Sequence, residues 1–141
     1  MKAEDYLGQA FCLDQRIHSA IKELEDMKEM VSSLSSPGFD EKVMKSPSGE
    51  APFVKALERF WDMEEEVDEE IDTLLRLKRQ IRNVIAHVED PNYQMVLRYK
   101  YIHNYNWEQI GTKMFVDRTT AKRWHDTAMK KVTLPDEPII I

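Results

Sequence analysis

Apolar residues recur every three or four positions over two long stretches of this chain, and charged residues fill the positions between them. Ala3, Tyr6, Ala10, Leu13, Ile17, Ala20, Leu24, Met27, Val31 and Leu34 alternate strictly by three and four, which is a heptad seam along one face of a helix. At ~1.5 Å per residue the seam predicts a continuous rod of about 48 Å. Ser35-Ser36-Pro37-Gly38 would end it. Phe53, Leu57, Phe60, Met63, Val67, Ile71, Leu74, Leu77, Ile81, Val84 and Val88 repeat the pattern. They predict a second rod of roughly 54 Å that starts at Pro52, a residue suited to a first helical turn, and runs to about Val88. Two rods of matched length predict an antiparallel coiled-coil hairpin. Residues 35–52, rich in Ser, Pro and Gly, read as a flexible connector where protease would cut first. Trp61, Leu75 and Ile85 widen the apolar stripe beyond what one partner helix covers, so the hairpin is expected to associate with a second copy or another protein.

Past Glu89 the elements shorten. Asp90 as N-cap and Pro91 at the first helical position predict a helix carrying Val96, Leu97 and Tyr101. Asn106, with Gln109 three residues on, predicts the capped start of a short helix whose inner face holds Trp107, Ile110 and Met114. Asp117 opens a further helix after a tight turn. Ala121, His125, Ala128 and Val132 share its inner face, whereas Thr119, Lys122, Arg123, Asp126 and Lys130 share the outer one. This is the pattern of a helix-turn-helix. The fold class expected is therefore all-α, with an acidic coiled-coil hairpin over residues 1–89, a helix-turn-helix domain over 90–134 and a tail over 135–141. The proline-broken tail, ending in Ile139-Ile140-Ile141, is expected to be a disordered end.

Charge sharpens the division. The net −6 of the 141 residues splits into −9 over residues 1–91, +5 over 92–134 and −2 in the tail, so only the helix-turn-helix segment has the sign for a polyanion. Phosphates are held by Lys, Arg and Thr, and base edges are read by Arg, Lys and Thr near the start of a recognition helix. Arg118, Thr119, Lys122 and Arg123 are the expected base-facing set, with Lys100, Lys113 and Lys130 on phosphates at its edges. No run of about 18 apolar residues encodes a membrane span. The charged start Met1-Lys2-Ala3-Glu4-Asp5 is no secretory signal, and the single Cys12 forms no internal disulfide. A cytoplasmic location is expected.

The run from Met95 to Val132 resembles region 4 of the sigma-70 family. Leu97-Arg98-Tyr99 lies in an apolar helix, Asn106-Trp107-Glu108-Gln109-Ile110-Gly111 stands at the start of the next, and Thr120-Ala121-Lys122 stands where that family has Thr-Val-Lys. Phe115 departs from the pattern, at a turn position where the family often has Gly. Over nearly its full length the chain resembles small phage and prophage proteins of Gram-positive bacteria, a domain-of-unknown-function family related to the ArpU-type regulators of phage late genes. The resemblance implies a phage-encoded, sequence-specific transcriptional regulator in a bacterial host cell. Its partners would be double-stranded promoter DNA, RNA polymerase and further copies of itself. The alternative is a coiled-coil adaptor or phage assembly protein whose basic motif binds an acidic partner.

Enzymatic chemistry finds no footing. In the acidic run Glu64–Asp72, carboxylates stand three apart as in helical Mg²⁺ pyrophosphatases, but Glu65, Glu69 and Asp72 fall opposite the apolar face of Val67, Ile71 and Leu74. His18, His87, His103 and His125 lack zinc or di-iron spacing. No nucleophile elbow, phosphate-binding glycine loop or dinucleotide fingerprint occurs. The reading carries no catalytic residue, metal, cofactor or small-molecule substrate. Tyr99, Tyr101, Tyr105 and Trp107 could stack on single-stranded bases, but Tyr101 and Trp107 fall on inner faces, which favours core packing.

Overall fold

The computed structural model describes residues 1–34 and 52–141, and among them all regular structure is helical. In chain order the elements are α1 (Ala3–Gly8), α2 (Leu13–Leu34), α3 (Pro52–Ala86), α4 (Pro91–Leu97), a π-helical turn (Arg98–Ile102), α5 (Trp107–Met114) and α6 (Arg118–Lys130). Pro52 opens α3 as its position suggested; the rest of the expected connector, 35–51, lies outside the described residues. None of the described helices is long and apolar enough to cross a membrane.

The chain forms two compact units. The first combines Met1–Gln15 with Leu74–Ile141, and the second is Arg16–Thr73. In the second, α2 and α3 face each other through Ala20, Leu24 and Met27 on one side and Phe60, Val67 and Ile71 on the other. Trp61 stays 59% exposed on α3. The seam positions from Ala3 to Val31 are all buried or half-buried, so the period located the packed face.

The expected unbroken rod does not form. Helix α1 ends at Gly8, the chain turns through residues 9–12 on tight bonds such as Ala10 N–H to Leu7 C=O (3.0 Å) and Leu13 N–H to Ala10 C=O (3.1 Å), and Cys12 is left-handed at φ 59°. The break has a packing reason. A straight helix buries one face, whereas here the adjacent Tyr6 and Leu7 are both fully buried. They join the core of the first unit with Leu74, Leu77, Ile81, Ile85, Val96 and Leu97.

The tail is docked, against the expectation of a disordered end. The Gln80 side chain donates to the Glu137 carbonyl (3.0 Å) and accepts from the Ile139 N–H (2.9 Å), and Tyr6 Oη donates to the same Gln80 oxygen (2.8 Å). Gln9 donates to the Ile139 carbonyl (3.0 Å) and accepts from the Ile141 N–H (2.8 Å). Two glutamines thus satisfy the tail backbone much as a neighbouring strand would. The compact unit accordingly takes in more of the chain than residues 90–134.

Candidate nucleic-acid interface

Local sequence fixes the starts of the helix pair that carries the basic face and of the helix before it. Asp90 accepts from the Asn92 and Tyr93 N–H groups (2.9 and 3.2 Å) and starts α4. Asn106 and Gln109 form the reciprocal capping box, with Gln109 N–H to Asn106 Oδ1 at 2.8 Å and Asn106 N–H to Gln109 Oε1 at 2.9 Å. Asp117 Oδ1 accepts from the Thr120 N–H at 2.7 Å and opens α6. Hydrogen bonding from the Thr120 side chain, then from its backbone N–H, and last the nearby Arg123 charge hold the Asp117 carboxyl below its usual pKa, so it stays ionised at the positive end of the helix.

The turn between α5 and α6 has two unusual residues. Gly111 is buried where the returning chain crosses it: the Val116 N–H donates to the Gly111 carbonyl (3.0 Å), and a Cβ built on Gly111 would lie 2.7 Å from the Val116 oxygen. Phe115 takes φ 58°, ψ 39°, the left-handed region that glycine enters without strain, and its side chain is 95% exposed. The conflict raised by a phenylalanine in this turn is thus met by accepting the positive φ.

The inner face of α6 is anchored through His125. Its ring is buried, its Nε2 lies 2.6 Å from Tyr101 Oη and its Nδ1 lies 3.2 Å from Asp126 Oδ1. The consistent arrangement has Nδ1–H donating to the carboxylate and Nε2 accepting from the phenol. Burial lowers the His125 pKa, with Asp126 opposing, and burial raises Tyr101 to about 12, so both side chains are neutral near pH 7. Trp107 meets the His125 ring edge-on at 5.0 Å. Ala121 and Ala128 are fully buried beside it, and Met129, which the pattern did not single out, is buried as well.

The opposite face is open. Arg118, Thr119, Lys122, Arg123 and Lys130 are exposed along α6, and Lys113 is exposed in the last turn of α5. Lys100 is half-buried on the π-helical turn, its ammonium 4.7 Å from the Trp107 ring centroid, while Lys122 approaches the same ring at 6.0 Å. Trp107 therefore brings Lys100 and Lys122 to one place, and Tyr105 similarly lies 5.8 Å from the Lys113 ammonium. Of the four aromatic residues singled out from sequence, Tyr101 is tied inward by its bond to His125. Tyr99 and Tyr105 instead form a half-exposed group with His103.

On α3, Glu65, Glu69 and Asp72 are exposed, the geometry of a solvated face. Among the described residues, no His, Cys, Asp and Glu side chains cluster as a metal site. Fold and surface thus define an all-helical protein that presents a basic helix from a capped helix pair. A family described as a protein of unknown function, DUF722, matches residues 52–133, and the chain belongs to that family. No curated protein and no solved structure matches it.

Proposed function

We propose that the protein is a phage-encoded, non-enzymatic transcriptional regulator that binds duplex promoter DNA through α5 and α6 acting as a helix-turn-helix. The observation that carries this reading is the two-sided character of α6: Ala121, His125 and Ala128 are buried while Arg118, Thr119, Lys122 and Arg123 are exposed. A helix seated this way offers its basic, hydroxyl-bearing side to a major groove. Arg118, Thr119, Lys122 and Arg123 face the bases, and Lys100, Lys113 and Lys130 meet phosphates. The similarity to sigma-70 region 4 and to the ArpU-type regulators supports the choice of promoter DNA, with RNA polymerase as a protein partner in the bacterial cytoplasm.

One helix-turn-helix has too small an interface for tight specific binding. Helices α2 and α3, acting as an antiparallel coiled-coil hairpin, would bring copies together. The test is fluorescence anisotropy with duplex fragments of the phage genome, where Arg123→Ala weakens binding by about 1–3 kcal/mol. An absence of any shift at low salt overturns the reading. The adaptor reading draws on exposed Trp61 and Phe115, at 59% and 95%, and predicts capture of a protein with no duplex affinity.

A further inference from the structure

Backbone irregularities converge on one cleft in the first compact unit. Cys12 (φ 59°) adjoins Phe11, Asn104 (φ 56°) lies on the cleft wall, and the π-helical turn Arg98–Ile102 supplies Lys100 and Tyr101. That turn closes with the His103 N–H on the Arg98 carbonyl (3.1 Å), and the Tyr105 N–H then reaches back to the Tyr99 carbonyl (3.0 Å). Left-handed residues and π turns are costly features that concentrate at functional sites. The cleft holds about 370 Å³ and is lined by Phe11, Lys100, Tyr101, Asn104, Tyr105 and Asn106 among others. This lies in the usual range of roughly 300–1,000 Å³ for ligand sites.

The walls specify the chemistry of an occupant. Phe11 stands 76% exposed at the rim. Tyr105 is braced by Tyr99 at 5.8 Å and 25° and by His103 at 5.5 Å and 22° between ring planes. Asn106 Oδ1 is engaged by the Gln109 N–H, which leaves its amide NH₂ to donate, and Asn104 contributes a second amide. The lining includes Lys100 and no carboxylate, and the Lys100 ammonium lies 4.7 Å from the Trp107 ring centroid. Aromatic walls, amides and one positive charge suit a planar base with a phosphate attached.

We propose that this cleft binds an unpaired nucleotide, its base stacked on Tyr105 and Phe11, its edge on the asparagine amides and its phosphate on Lys100. The choice of ligand rests on the nucleic-acid reading of the basic face, since Lys100 belongs to both surfaces. It adds a single-strand site to a protein proposed to bind duplex.

The test uses the full chain with three probes: a short fluorescent single-stranded DNA, a duplex fragment, and free AMP followed by calorimetry. Phe11→Ala is expected to weaken single-strand binding on the order of ten-fold, with duplex affinity and melting temperature unchanged, and Phe11→Trp is expected to restore it. AMP binding with the same Phe11 dependence assigns a free nucleotide; oligonucleotide binding without AMP binding assigns a strand. Single-strand and AMP binding that are both absent, or both indifferent to Phe11→Ala, overturn the proposal even where duplex binding persists. Phe11-dependent single-strand binding without duplex binding leaves the cleft standing and removes the helix-turn-helix reading.

Discussion

Substituting alanine at the two helical glycines of the first compact unit should have opposite consequences. At Gly111 an added Cβ would sit 2.7 Å from the Val116 oxygen, 3.4 Å from the Asp117 carbonyl carbon and 3.5 Å from the Arg118 nitrogen. All three neighbours are backbone, so no side-chain rotation relieves the contact; the turn itself has to move. Overpacking of this kind costs about 1–3 kcal/mol, and the better helix propensity of alanine returns up to ~1 kcal/mol. The expected net loss is about 1–2 kcal/mol, roughly 3–10 °C in melting temperature for a chain of this size. Gly8, at the end of α1, has nothing within 4 Å of the corresponding Cβ, so Gly8→Ala should be neutral or stabilising by up to ~1 kcal/mol. Urea unfolding followed by far-ultraviolet circular dichroism compares the two. Because the displaced atoms lead into Asp117 and Arg118, Gly111→Ala should also lower duplex affinity. A Gly111→Ala protein as stable as Gly8→Ala would refute the argument that the turn's close approach selects glycine.

Phe115→Gly relieves a left-handed backbone and sheds a ring that is 95% exposed; a net gain of about 0.5–1 kcal/mol is expected in the same unfolding assay. Gln80→Ala removes three hydrogen bonds that tie Tyr6, Glu137 and Ile139 together. The expected loss is about 1–3 kcal/mol, with faster amide exchange at Ile139. The pH dependence follows from His125: burial depresses its folded pKa below the ordinary 6.5, so between the two values the unfolded chain binds more protons. Its contribution is complete above pH 6.5 and is lost as pH falls through the folded value. Melting temperatures measured from pH 7.5 down to 5 should fall, and less steeply in His125→Gln.

What could be read from the sequence was what is local. Asn106 with Gln109, Asp117 and Asp90 each cap the helix that follows them because the bonds span two or three residues, and the period of three and four located the packed faces of α2 and α6. The break after Gly8 was hidden, since residues 3 to 34 keep the same spacing whether or not the helix is continuous; only the demand to bury Tyr6 and Leu7 together reveals it. The docking of the tail depends on Gln9 and Gln80, each far away in sequence, and no pattern marks a glutamine as the partner of a distant carbonyl. The exposed Phe11 of the proposed cleft was not singled out for a related reason: it lies between the seam positions Ala10 and Leu13, where an apolar residue carries no periodic signal. That Arg118, Thr119, Lys122 and Arg123 share an exposed face was legible from helical spacing alone, whereas the placement of Lys100 and Lys122 about the Trp107 ring required the packed helices.

The central claim is that the exposed side of α6 engages the phosphates and base edges of duplex DNA, and its most direct test is duplex affinity measured across a range of salt concentrations. With phosphates held by Lys100, Lys113 and Lys130, log affinity should fall against log salt with a slope on the order of −3. Lys113→Ala should reduce that slope by about 1, and Arg123→Ala should weaken binding at every salt concentration. A slope near zero, or binding unchanged in both variants, would contradict the account.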